Sequence, residues 1–275
     1  MTDVTISGLW TYPIKSMAGI SLRQSKLLAK GLEYDRSWML VDNDLNFITQ
    51  RQHPKMALIS VSIEDYGLRV YYKNMPALII PWVDTELESF QSLSVKIWKD
   101  ECSALHINSA IDNWFGEVLG IDCRLVYIPD VSDRYVDRDY ALNNEQTRFA
   151  DGFPLLLISE ASLNNLNSRL SASKKQPVNM QHFRPNIVVK GCAAFAEDQW
   201  KNFSINGTVF SAVKACSRCI ITTVDPSTGE RSTDKEPLQT LLQYRKKENQ
   251  VFFGQNVLFN YKTSQNLSLG DSLLF

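Results

Sequence analysis

Short stretches of alternating apolar and polar residues dominate the first half of the chain. They predict strands over 4–10, 37–41, 57–63, 68–72, 77–80 and 93–98, with turn residues such as Tyr66-Gly67 between them. One interruption has the helical period. Ile111, Trp114, Phe115 and Val118 share a face, Ser109 with Asp112 resembles a capping box, and Gly120 is a stop, so 109–119 is predicted helical. Residues 123–128 read as a further strand. The run 129–146 is polar, charged and aperiodic, which predicts a long loop, and long loops are often functional.

The second half is more mixed. An apolar run over 153–158 precedes a helix capped by Ser159, with Leu163, Leu166 and Leu170 on one face. Strands are predicted over 186–190, 208–214, 220–224, 251–259 and 268–275. Asp225-Pro226-Ser227-Thr228-Gly229 is a turn, and Pro237 opens a short helix carrying Leu238, Leu241 and Leu242. No repeat or low-complexity tract is present. The pattern predicts an α+β, mainly β protein in two parts, residues 1–125 and 126–275, dividing somewhere within 125–145.

Composition narrows the classes. The chain has 275 residues, 44% hydrophobic and 21% charged, with net charge -1. It is long enough to bury a core without disulfides. The balance is neither that of a nucleic-acid binder nor that of a polybasic membrane binder. No apolar run is long enough to span a bilayer, and Met1-Thr2-Asp3-Val4 has no signal-peptide features. The expectation is a cytoplasmic protein with reduced thiols. Its five cysteines, Cys102, Cys123, Cys192, Cys216 and Cys219, include one close pair.

That pair, Cys216-Ser217-Arg218-Cys219, is the strongest chemical signal. A structural zinc site needs four ligands, and the other cysteines and His53, His106 and His182 are scattered. A redox dithiol would open a helix, whereas a β-rich run follows here. Lys214 and Arg218 flank the pair, and nearby cations favour thiolate, the form that attacks and ligates. The motif alone leaves two readings open: a reactive thiolate, or two small cysteines at a strand edge.

Three weaker segments accompany it. Lys15 and Ser16 follow a proline turn in Tyr12-Pro13-Ile14-Lys15-Ser16, and Arg36 closes Gly31-Leu32-Glu33-Tyr34-Asp35-Arg36; such groups suit a phosphate or other anion. Arg184 and Asn186 stand at the mouth of an apolar strand, where Asn186 could read a heterocycle edge. Phe253-Gly254-Gln255-Asn256 offers close backbone approach. Taken singly, each is equally a set of surface cations or a strand cap. Dinucleotide, Walker, metalloprotease and nucleophile-elbow motifs are missing from the sequence. Glu160 in a helix first turn and Asp225 in a turn read as structural.

Taken together, these blocks resemble the MOSC family of molybdenum-cofactor proteins, and within it the amidoxime-reducing and N-hydroxylaminopurine-resistance members. The resemblance runs from Leu9-Trp10-Thr11-Tyr12-Pro13-Ile14-Lys15-Ser16 through Thr49-Gln50-Arg51-Gln52, Phe183-Arg184-Pro185-Asn186 and the cysteine pair to Phe253-Gly254-Gln255. It implies a β-rich, barrel-like N-terminal MOSC domain packed on a C-terminal MOSC β-barrel, with the cofactor between them. It implies Cys219 as the molybdenum ligand and catalytic residue. Pterin and phosphate positions fall on Lys15, Ser16, Arg36, Arg184, Asn186, Ser217 and Arg218. Asp151, Gly152 and Phe153 match a phosphate-contacting loop but lack hydroxyls found in relatives, which leaves backbone amides for the contact. Asn256 stands where some relatives carry tyrosine.

The implied reaction is reduction of an N-hydroxylated small molecule on molybdenum-molybdopterin. A thiolate supplies the metal's soft ligand, and the protein orients and tunes the cofactor. Pyridoxal phosphate binding and detoxification of N-hydroxylated bases accompany the resemblance as family-level terms. No cysteine follows Cys219 to ligate an iron–sulfur cluster, so the expected electron donor is a separate carrier such as a flavoprotein or ferredoxin, with no nucleic-acid or membrane partner. The alternative is a cofactor carrier or sulfur-transfer protein without reductase activity.

Overall fold

The computed structural model describes residues 3–83 and 90–275. The chain begins with β1 (Thr5–Thr11), β2 (Ile20–Leu22), β3 (Gln24–Leu28), β4 (Gly31–Leu32), β5 (Trp38–Val41), β6 (Ser60–Glu64), β7 (Gly67–Tyr71), β8 (Leu78–Pro81), β9 (Gln91–Ile97) and β10 (Asp100–His106). Helix α1 (Ser109–Leu119) and β11 (Arg124–Tyr127) follow. Then come β12 (Leu155–Ser159), α2 (Glu160–Ala172), β13 (Ile187–Lys190), β14 (Asn202–Ile205), β15 (Thr208–Ser217), α3 (Leu238–Leu242), β16 (Lys246–Lys247), β17 (Gln250–Phe259) and β18 (Gln265–Ser268). The α+β, mainly β expectation is met.

The largest sheet has eight strands in the order β14-β15-β17-β12-β13-β1-β2, with β16 on β17. Its ladder ends at β14 and β2 and, among the described residues, does not close on itself. The C-terminal segment nevertheless links the two sides, with Ser272 bridging Thr5 of β1 and Leu274 bridging Ser204 of β14. The expected C-terminal barrel is thus a β-rich sheet spanned by single bridges rather than a continuous closed ladder. The first strand crosses to the second half of the chain: β1 pairs antiparallel with β13, from Thr5↔Lys190 to Leu9↔Ile187, and β3 pairs with β18. One of the hydrophobic clusters follows from this pairing. Ile6, Leu9, Leu27 and Leu32 bury against Leu155, Ile187, Phe210 and Val257, while Trp38, Leu40, Met56, Phe115 and Leu125 form a separate first-half core.

Local physics explains where the pattern misled. The β-branched run 220–224 was expected as a strand, but Ile220–Thr223 is a 3-10 turn. The Thr222 and Thr223 hydroxyls donate to the carbonyls of Cys219 and Ile220, and such local bonds compete with a ladder. Helix α1 is capped by Asn108, whose side chain accepts from Ile111 N, rather than by Ser109. β18 stops at Ser268, and residues beyond it make only single bridges at Ser272 and Leu274. β2, β3, β4, β14 and β16, all of five residues or fewer, were not expected, nor was β10, seven residues long but rich in polar residues. No helix among the described residues is long and apolar enough to cross a membrane.

Candidate functional site

β13 runs antiparallel to β1 and parallel to β12. The chain leaving β1 with Lys15 and Ser16, the chain entering β13 with Arg184 and Asn186, and the chain entering β12 with Asp151, Gly152 and Phe153 therefore meet at one end of the sheet. β15 brings the fourth contribution. Its register shifts twice, between Ala212 and Lys214 and between Ala215 and Ser217, and such bulges re-aim the residues that follow. Arg218 then donates from Nε to Phe253 O (2.8 Å) and from Nη1 to Phe183 O (2.9 Å), fixing the cysteine turn against the other segments. Cys219 lies between β15 and the 3-10 turn and is exposed to solvent.

One cleft is lined by Lys15, Ser16, Arg36, Asp151, Gly152, Phe153, Arg184, Asn186, Ser217, Arg218, Cys219 and Asn256. These include every cofactor and metal position that the family resemblance implied. Among the lining side chains, Lys15, Arg36, Arg51, Arg184 and Arg218 are cationic and Asp151 is the carboxylate. A local excess of positive charge in a chain of net charge -1 favours an anionic ligand. Three of the lining residues hold left-handed backbone without being glycine: Ser16 (φ 66), Arg36 (φ 49) and Arg184 (φ 57). Each such residue costs roughly 1–2 kcal/mol, and residues of this kind cluster at binding sites.

Individual groups do more structural work than their charge suggests. Lys15 is buried. Its Nζ donates to Phe149 O and to Asp151 Oδ1, both at 2.7 Å, and burial lowers its ammonium to about 8 against the opposing pull of Asp151. Desolvation raises the Asp151 carboxyl, yet the charge and hydrogen bond of Lys15, with Arg51 and Trp98, outweigh it and hold the group well below the usual carboxylate range. Arg36 Nη1 spans both oxygens of buried Asp35 at 2.7 and 2.6 Å, and its guanidinium lies 4.2 Å from the centre of the Tyr12 ring. Asn186, read from sequence as a heterocycle reader, stitches strands: Leu156 N donates to its Oδ1 (3.1 Å) and its Nδ2 donates to Trp10 O (3.2 Å). One N–H and one lone pair of that amide remain.

Arg184 and Arg218 differ from these. Arg184 Nη1 donates to Met17 O at 2.6 Å, and its guanidinium also packs on Tyr12 at 4.2 Å. Nη2 of Arg184 and Nη2 of Arg218 are buried and have no hydrogen-bond partner among the described residues. Buried donors of this kind are ordinarily satisfied, so two in the walls of one cleft call for an acceptor.

Sequence reasoning missed Arg51. Its Nη1 donates to Cys219 Sγ at 3.8 Å, and its guanidinium stacks on Trp98 at 4.3 Å. The expected flanking cation, Lys214, instead packs over Tyr140 at 4.1 Å. The one sequence signal for Arg51 was its block Thr49-Gln50-Arg51-Gln52. Cys216 lies in the bulged end of β15, where burial pushes its thiol up. No group of three or more His, Cys, Asp or Glu among the described residues is arranged to hold a metal, so the zinc reading lacks its ligand set.

Two family models match the chain: the MOSC N-terminal beta barrel domain over residues 3–122 and the MOSC domain over 144–274. The chain is 36% identical to mouse mitochondrial amidoxime-reducing component 1 over 268 residues, which is 93% of this chain and 76% of the relative. It is 36% identical to bovine mitochondrial amidoxime reducing component 2 over 250 residues, 88% of this chain and 72% of that protein. It is also 32% identical to a rice molybdenum cofactor sulfurase over 275 residues, 95% of this chain but 33% of that longer protein. With its cysteine turn, cation-lined cleft and two matched domains, the chain belongs to the MOSC family.

Proposed function

We propose that this protein is a molybdenum-cofactor-dependent oxidoreductase that reduces N-hydroxylated small molecules. The observation that carries the reading is that the exposed Cys219 thiol opens onto the same cleft as two buried, unpartnered guanidinium nitrogens, of Arg184 and Arg218. The residues fit the implied group. A soft thiolate suits the metal beside the pterin dithiolene, and guanidinium donors suit its phosphate. Similarity to proteins named amidoxime-reducing components supports the reaction class.

Cys219 would hold the metal, with Arg51 against its sulfur. Arg184 and Arg218 would donate their free Nη2 hydrogens to the cofactor's anionic oxygens. Arg36 adds charge and is anchored by Asp35 through Nη1 and by Arg184 O through Nη2 (3.2 Å), which leaves its Nε hydrogen and one Nη2 hydrogen for a ligand. Ser16, Ser217, Asn186, Asn256 and the 151–153 backbone complete the proposed binding set. Bound here, the cofactor supplies oxygen-abstracting redox chemistry. Converting N–OH to N–H consumes two electrons and two protons and releases water, so a separate electron-carrier protein completes the cycle. The two-part division near residue 125 belongs to the same proposal, with β1 lent by the first part to the sheet of the second.

Likeness to part of a cofactor sulfurase supports a second reading, a cofactor carrier or sulfur-transfer protein. Metal and pterin analysis, followed by turnover of an amidoxime with an artificial electron donor, separates the two. The expected result is molybdenum, pterin and reductase activity in the native chain, with metal and activity both lost in Cys219→Ala. Loaded protein without turnover supports the carrier, and zinc without pterin overturns both.

A further inference from the structure

Between Arg148 and Phe153 the backbone carbonyls and amides face different partners. Arg148 O and Ala150 O each accept from Arg134 Nη1 at 2.6 Å, and Asp151 O accepts from Arg134 Nη2 at 3.2 Å. Phe149 O accepts from Lys15 Nζ at 2.7 Å. Four successive carbonyls are thus held by cations. The Phe149 amide is bound to Arg36 O at 2.9 Å. The next four amides, of Ala150, Asp151, Gly152 and Phe153, have no hydrogen-bond partner among the described residues, and all four residues line the cleft.

Arg134 itself does not line the cleft, and its side chain is 2% exposed. Its remaining hydrogens, on Nε and Nη2, go to Asp100 Oδ2 at 3.2 and 2.9 Å. All five of its N–H bonds are therefore committed, and none is left for a ligand. A peptide whose carbonyl accepts from a cation is polarised, which strengthens the N–H of the same peptide as a donor; the amides so strengthened are those of Ala150, Asp151 and Gly152. A row of free amides of this kind forms a concavity for an anion.

We propose that Arg134 is a positioning residue: by holding the 148, 150 and 151 carbonyls behind the cleft, it presents the 150–153 amides to a phosphate or diphosphate group, with Lys15 bracing the same loop through Phe149 O. The proposal rests on the reading that the cleft takes an anionic cofactor, and it concerns how that anion is held.

The test is a calorimetric titration of inorganic pyrophosphate into the full chain purified without cofactor. Arg134→Ala is expected to lower affinity about 10- to 100-fold, the usual range for a group that orients ligands from behind. Free guanidinium ion should restore affinity in Arg134→Ala and leave the native chain unchanged, which a general loss of stability would not produce. Asp100→Asn should show a smaller loss in the same direction, and it decides the matter if Arg134→Ala does not fold. Unchanged affinity in either folded variant, or failure of the native chain to bind pyrophosphate, overturns the proposal. Molybdenum and pterin content tests the cofactor reading separately. Native chain carrying both, with undiminished content in the Arg134 variant, sinks this inference alone. A native chain that binds pyrophosphate but never carries molybdenum, with binding lost in Arg134→Ala, sinks the cofactor reading alone.

Discussion

Replacing Arg184 with methionine should separate stability from binding. Burial, with the like charge of Arg36, lowers the Arg184 guanidinium to about 10. At about 1.4 kcal/mol per tenfold, that drop from the ordinary arginine value sets roughly 3 kcal/mol against the charged form in the folded chain. The Arg184→Met substitution would relieve this. It would also remove the charge-assisted bond to Met17 O, worth about 1.5–3 kcal/mol, and the packing on Tyr12, worth about 0.5–2 kcal/mol. Arg184 has no carboxylate partner among the described residues, so its removal orphans no opposite charge. The terms nearly cancel, and the cofactor-free chain should melt within a few degrees of the native one. Breaking a paired buried charge would instead cost about 3–5 kcal/mol. Binding should fall sharply, because the free Nη2 donor and its charge are lost. A loss of about 2–4 kcal/mol weakens pyrophosphate binding roughly 30- to 700-fold. Urea melts and pyrophosphate titrations of the same preparation check both halves. A large loss of stability with affinity intact would refute the assignment of Arg184 as an anion donor.

Three further outcomes are expected. Lys15 is a base lowered to about 8 by burial, so its charged form opposes folding below that pH, and the penalty lifts as pH rises from about 8 toward the unfolded lysine value. Over the same window its grip on Phe149 O and Asp151 weakens, so chain stability should rise while pyrophosphate affinity falls; an identical affinity profile in Lys15→Arg would rule out Lys15 as the titrating group. Asn186→Ala leaves Leu156 N–H and Trp10 C=O without their side-chain partner and should cost about 2–4 kcal/mol in a denaturant melt; an unchanged melt accompanied by lost pterin would mark Asn186 as a ligand contact instead. Gly254→Ala at φ +81 brings a Cβ to 2.5 Å from Ile158 Cγ1 and 2.9 Å from Leu157 O, and it should destabilise by more than about 2 kcal/mol; a native-like melt would refute that crowding.

Sequence determined what depends on period and on local chemistry. The faces of α1 and α2, the strands β1, β5 to β9 and β11 of the first half and the apolar run of β12 were legible because burial repeats along the chain at the pitch of each element. The separate blocks carrying Lys15, Arg36, Arg184 and Cys219 were legible as an ordered family pattern, and the fold brings all of them to one cleft. Tertiary structure decided what each side chain is free to do, because a donor's availability depends on partners far away in sequence. Lys15 keeps one of its three hydrogens for a ligand, because Phe149 and Asp151, more than a hundred positions away, hold the other two. Asn186 gives one lone pair to Leu156 N–H and one hydrogen to Trp10 O and keeps the rest of its amide. Arg184 and Arg218 were left each with one unsatisfied nitrogen. Arg51 and Arg134 carried little or no sequence signal, since one acquires its place from the approach of Cys219 and the other from three carbonyls and an aspartate on distant segments. The cations could be found in the sequence, but only the pairing of strands from both halves showed which of them still had a hydrogen to give.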